Sequence, residues 1–224
     1  VCVLLLFDSN SLLWAWSRLV MGPRALRGVP GLRKAKVLGS GVDGGFVAWA
    51  PSATRQGLFC VFDDEPQART FVETSPIVAQ YRRHARELCT VVLQPLSSRG
   101  SWDGFALSVG AASPAEPRPV AALTRASIRP TRMWDFWRRA PAAQVALEAV
   151  AGCRLGVGLG EVPLLRQATF SIWDSVAAMD AYARHGAHQE AIMASRAGDH
   201  FSEWMFVRFA VLQLRGQWIG RQHG

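Results

Sequence analysis

Hydrophobic positions in this chain fall into short blocks whose spacing changes from block to block. "VCVLLLF", Val1 to Phe7, is an unbroken apolar run of seven residues. Such a run suits a β-strand buried on both faces. It is far too short to span a bilayer and lacks the basic flank and cleavage site of a signal peptide. Further on, "VAALTRASIR" from Val120 predicts a second apolar strand, and "PTRMWDFWRRA" predicts a helix that Pro130 helps to start. "CRLGVGLGEVP" and "LLRQATFSIWD" predict two strands joined by a turn. Asp174 and Ser175 are placed to cap a helix running through Ala197, bent near Gly186. "SEWMFVRFAVL" from Ser202 closes the series as a strand.

The same order occurs earlier in the chain. Between "TRQGLFCVFDDEPQARTF" (Thr54 to Phe71) and "LRQATFSIWDSVAAMDAY" (Leu165 to Tyr182), Arg55-Gln56 meets Arg166-Gln167 at an offset of 111. At that offset Phe59 meets Phe170, Phe62 meets Trp173, Asp63 meets Asp174 and Phe71 meets Tyr182. "SLLWAWSRL" near Trp14 resembles "TRMWDFWRR" near Trp134. "ELCTVVLQPL" from Glu87 resembles "EWMFVRFAVL" from Glu203, where the offset has grown to 116. Two diverged βαββαβ halves explain this pattern, and that order is the ferredoxin-like unit. The expected fold is therefore α+β: tandem ferredoxin-like repeats forming a dimeric α/β-barrel-like pseudo-dimer. Residues 1–112 form the N-terminal half and 120–215 the C-terminal half, with the Pro-rich "SPAEPRP" (Ser113 to Pro119) as linker.

Half of the 224 residues are apolar and 19% charged, as a folded globular chain requires. Cys2, Cys60, Cys89 and Cys153 lie far apart with no C-x-x-C, so buried thiols, a reducing cytoplasm and no zinc site are expected. The net charge of +8 comes almost wholly from arginine, because Lys34 and Lys36 are the sole lysines. The arginines are scattered and form no basic helix or nucleic-acid motif. No nucleic-acid partner is expected, and attraction to anionic membrane surfaces suits the charge at least as well. Nine tryptophans suit a core, or an apolar ligand pocket.

Most catalytic signatures are absent, including G-x-S-x-G, H-E-x-x-H and Walker sequences. "GVGLG" (Gly156 to Gly160) lacks the full dinucleotide fingerprint and leads into another strand. Asp63-Asp64-Glu65 sits at a helix start, where acids favour the dipole. The histidine pair in "YARHGAHQEAI" carries more chemistry. At 100° per residue Ala178, Ala181, His185, His188 and Ile192 share one helix face. Their first-half counterparts are Gln67, Thr70, Thr74, Ile77 and Tyr81, so one half alone carries small residues beside an imidazole. Such a face leaves room for a flat ligand. A neutral imidazole at His188 suits haem iron, leaving the opposite face open for dioxygen. His84, His200 and His223 are weaker candidates, in a helix end, a turn and the tail. Four strand arginines, Arg125, Arg129, Arg166 and Arg208, either form salt bridges or anchor propionates and iron-bound oxygen.

"GSGVDGGF", "LTRASIR", "VGLGEVPLLRQATFSIWDSVAAMDAYARHGAHQEAI" and "FSEWMFVRF" together resemble the spheroidene monooxygenase family, the carotenoid ketolases of purple bacteria. The resemblance covers nearly the whole chain and is densest from Val120 to Phe209. It implies a haem-dependent monooxygenase that oxidises an acyclic carotenoid beside its methoxy end to a ketone, with electrons from a ferredoxin. It matches His188 to the family's axial helix histidine and treats His185 as incidental. His200 stands where the family pattern has an aromatic. The location expected is the cytoplasm, peripheral to the membrane. Two other readings keep a place. One is a different haem enzyme of the α/β-barrel type, an aldoxime dehydratase or peroxidase. The other is a haem- or lipid-binding carrier without catalysis.

Overall fold

The computed structural model describes residues 1–45, 51–110, 119–138, 150–162, 164–184 and 199–224. The chain divides into two compact units. Unit 1 comprises Val1–Asp43, Pro51–Gln94 and Val211–Gly224, and unit 2 comprises Gly44–Ala50 and Pro95–Ala210.

In unit 1 the apolar run becomes β1 (Cys2–Ser9), buried along its whole length. Ser11 caps α1 (Leu12–Met21), accepting a hydrogen bond from the Trp14 N–H, and Gly22 at φ 55° ends it. β2 (Leu32–Gly41) and β3 (Pro51–Phe62) follow. The next helical stretch is broken into α2 (Glu65–Thr74) and α3 (Pro76–His84), which lead into β4 (Ala85–Gly100). The strands pair antiparallel in the order β4-β1-β3-β2, with Leu4 opposite both Phe59 and Val91. On one face Val3, Leu5 and Phe7 pack against Phe71, Val72, Val78 and Tyr81 of α2 and α3. Trp14 of α1 meets Phe7 and Tyr81 edge-on.

Unit 2 repeats the plan. β5 (Val120–Ile128) is followed by a 3-10 turn at Pro130–Arg132 and helix α4 (133–138). Then come β6 (Cys153–Val162), β7 (Arg166–Trp173), α5 (Val176–Arg184) and β8 (Phe201–Trp218). The strand order β8-β5-β7-β6 mirrors unit 1. The registers mirror it as well: Asp8 stands opposite Arg55, and Ser127 opposite Arg166. Both offsets read from the sequence, 111 and 116, are therefore the registers of β3 against β7 and of β4 against β8. The mixed α+β architecture and the βαββαβ order of each half are observed. β8 runs past the expected strand through Trp218 and turns into β9 (Arg221–His223).

One expectation needs correction. Gln67, Thr70, Thr74, Ile77 and Tyr81 do not share a single helix face, because Ser75 is extended (φ −63°, ψ 131°) between α2 and α3. Pro76 disfavours the helical conformation of the residue before it and has no N–H to donate. The bend turns Val78 and Tyr81 into the core.

The repeat also extends further than the sequence comparison found. "GSWDG" (Gly100 to Gly104) and "GQWIG" (Gly216 to Gly220) stand 116 residues apart, at the ends of β4 and β8. In each, the tryptophan is buried, and the residue after it has positive φ, 49° at Asp103 and 50° at Ile219. The last glycine gives its N–H to a carboxylate: Gly104 to Glu203 at 3.0 Å in unit 2, and Gly220 to Glu87 at 2.8 Å in unit 1. Each unit is thus completed by the end of the other half's last strand.

Candidate functional site

Unit 2 places a charged group where unit 1 is apolar. Arg125 lies on β5, opposite Ala168 and Met205, and is 1% exposed. Its unit 1 counterpart by register is Leu6, opposite Gly57 and Cys89. A guanidinium so deeply buried must be paired. Arg125 donates to Glu203 Oε2 at 2.6 Å and Glu161 Oε2 at 3.3 Å, with Asp103 Oδ1 at 3.6 Å. Glu161 also accepts from the Trp102 indole N–H at 3.0 Å, and the Arg125 guanidinium lies 5.7 Å from the Trp102 ring centroid. Arg166 reaches the same Asp103 oxygen at 3.5 Å. Two of the four arginines singled out from the sequence are therefore joined through one carboxylate.

The other two are separate. Arg208 of β8 donates to Asp180 of α5 at 2.7 Å and lies over the Phe206 ring. Arg129 pairs with Asp199 at 3.2 Å. Each strand arginine thus has a carboxylate partner, the arrangement that the salt-bridge reading expects. Sequence reading missed the carboxylates Asp103, Glu161 and Glu203. The one signal for the first and last was the "G-x-W-x-G" repeat, which sets Asp103 against Ile219 and Glu203 against Glu87.

Burial alone would raise the Glu203 carboxyl. Hydrogen bonds from Gly104 N–H, the Ser101 hydroxyl and Asp103 N–H, together with the charge of Arg125, outweigh it and push the carboxyl down to about 2. A carboxylate depressed in the folded state stabilises fully above its unfolded value of 4.5, and that contribution disappears as pH falls toward 2. Wild type is expected to lose stability through this group between those limits, by an amount that solvent screening holds to about 1 kcal/mol. Urea midpoints of wild type and E203Q, followed from pH 5 to pH 2, check this. The gap between them should close as the pH drops, and a constant gap would refute it.

Two of the other histidines have close side-chain neighbours. His200 is buried, with Nε2 2.7 Å from Asp135 Oδ2, and His84 stacks on Trp14 with ring centroids 4.7 Å apart. Burial and Arg221 lower the tail residue His223. Of the face proposed for a flat ligand, Ala178 packs against Trp173 and Met179, while Ala181 is exposed. His185, His188 and Ile192 lie outside the described residues. Among the described residues no group of three or more His, Cys, Asp or Glu is placed to hold a metal ion. Among these residues His200 is paired, and Arg125, Arg166 and Arg208 already hold carboxylates. The four cysteines form no disulfide, and burial pushes the Cys2 and Cys89 thiols up to about 12, which makes them inert packing groups.

The chain is 58% identical to the spheroidene monooxygenase of Rubrivivax gelatinosus over 226 aligned positions, covering 100% of this chain and 87% of that protein. It is 37% identical to the spheroidene monooxygenase of Rhodobacter capsulatus, covering 96% of this chain and 90% of the relative. A solved structure from Fusobacterium nucleatum, described as a candidate monooxygenase, overlaps 99% of this chain and 96% of its own, with 8% identity and a TM-score of 0.45. No protein-family model matches the chain.

Proposed function

The chain belongs to the spheroidene monooxygenase family, and from that premise we propose that it oxygenates an acyclic carotenoid of the spheroidene type, giving a ketone beside the methoxy end. The 58% identity running along the entire chain carries this reading. We assign haem as the cofactor and His188 as the residue that would hold its iron. The sequence supports that assignment: the resemblance matches His188 to the family's helix histidine, and at the offset of 111 an imidazole stands where the first half has Ile77. When bound there, haem would supply dioxygen activation. Reducing equivalents come from a ferredoxin-type donor.

Arg125, Arg166 and Arg208 act in this reading as positioning groups of unit 2. Each would have to give up a carboxylate before it could bind a propionate or an oxygen ligand. No helix among the described residues is long and apolar enough to cross a membrane. We place the protein at the cytoplasmic surface, a location that four free cysteines suit.

The test is to supply the purified chain with haem, reduced ferredoxin, dioxygen and detergent-dispersed spheroidene. A Soret band and formation of the ketone are expected. His188→Ala should lose or shift the band and lower turnover on the order of a hundredfold, with the circular dichroism unchanged. Haem uptake without conversion would identify a carrier. Conversion by a protein that takes up no haem would overturn the cofactor and keep the activity.

A further inference from the structure

Helix α1 in unit 1 is built the wrong way round for a helix that serves only the core. Ala15 is its one fully buried residue, and Trp14 packs beside it. Leu12, Leu13, Trp16 and Val20 fall within about 100° of arc on the other side. Leu13 is 85% exposed, Val20 75% and Trp16 54%. Helices α2 and α3 of the same unit expose no large hydrophobic residue, so within unit 1 the helical stripe belongs to α1. Its orientation is fixed, because Gln56 Nε2 on β3 donates to the Ala15 carbonyl at 2.8 Å and Trp14 is held between Phe7 and Tyr81.

A second, independent observation says what covers the stripe. No Asp or Glu occurs between Asp8 and Asp43, whereas Arg18, Arg24, Arg27, Arg33, Lys34 and Lys36 all do. Arg24 and Arg27 are exposed in the turn that directly follows α1. An exposed apolar stripe with an indole, bordered by a basic, acid-free segment, is the chemistry of a helix lying in a lipid interface. A second copy of the chain would bring the same positive charge to the contact, whereas an anionic bilayer satisfies both the stripe and the charge.

We propose that α1 and the turn after it dock the protein on an anionic lipid bilayer, with Leu12, Leu13, Trp16 and Val20 entering the interface and Arg24 and Arg27 facing the headgroups. The proposal rests on this surface alone and stands whether or not a carotenoid is the substrate.

Co-flotation of the full chain with vesicles tests it, using phosphatidylcholine alone and phosphatidylcholine with about one third phosphatidylglycerol. Wild type should float with the anionic vesicles at low salt and be released by high salt. L13E/W16E should lose at least about tenfold in binding with unchanged circular dichroism, because both positions face solvent. R24E/R27E should lose about tenfold or more on anionic vesicles and lose the preference for them. Wild type that floats with neither vesicle, or L13E/W16E that binds as wild type does, would overturn the proposal. So would a wild-type dimer that L13E/W16E converts to a monomer without any vesicle binding, which would make the stripe a contact between copies.

Discussion

Replacing Arg125 with leucine is expected to destabilise the protein by about 3–5 kcal/mol, the cost of removing one partner from a buried ion pair. The guanidinium is 1% exposed and bonds Glu203 and Glu161, with Asp103 close by, so its loss leaves two half-buried carboxylates and the exposed Asp103 together without their cation. Arg166 still reaches Asp103, but through a half-exposed side chain that gives little back. Unit 1 supplies the control. At the equivalent positions it has Leu6 for Arg125, Ser40 for Glu161 and Ile219 for Asp103, and it keeps Glu87, bonded to the Ile219 and Gly220 N–H groups, for Glu203. The triple variant R125L/E161S/D103I should therefore recover most of the loss, although Trp102 gives up its acceptor, as Trp218 already has none. Urea unfolding at pH 7 measures both. A cost below about 1 kcal/mol for R125L, or a triple variant no better than the single, would show that the cluster is not the buried pair described here.

That comparison also shows where sequence reading reached and where it stopped. Strand positions, their order and their register were legible, because apolar blocks and an offset repeat are local signals and the register of β3 against β7 is that offset itself. The partners of Arg125 were not legible. They come from residues 103, 161 and 203, and nothing in the neighbourhood of Arg125 announces them. The break between α2 and α3 could have been read from Ser75-Pro76, since a proline forces its predecessor to be extended. The histidine face drew attention away from that break, and the unbroken first-half face used as its control does not exist. The exposure of α1 was hidden for a different reason. "SLLWAWSRLVM" is apolar nearly all round, and only the structure shows which side the core uses.

Alanine at Gly100 or Gly216 is expected to cost more than about 3 kcal/mol each, through two effects that can be separated. Both glycines have positive φ, 79° and 110°, where a Cβ costs about 1–2 kcal/mol. In addition, a Cβ at Gly100 would stand 2.1 Å from the Trp204 carbonyl oxygen, and one at Gly216 2.1 Å from that of Leu88. Both carbonyls belong to strand backbone, so relief requires moving one strand off its neighbour, with the hydrogen bonds and buried tryptophan that follow. Gly28 isolates the first effect: its φ is 80° and a Cβ there meets nothing within 4 Å, so G28A should cost only about 1–2 kcal/mol. Thermal and urea unfolding of G28A, G100A and G216A test this. Equal costs for all three would mean that backbone conformation alone is at stake. A larger and similar loss at Gly100 and Gly216 would show that both halves depend on the same close approach, made in each unit by the end of the other half's last strand.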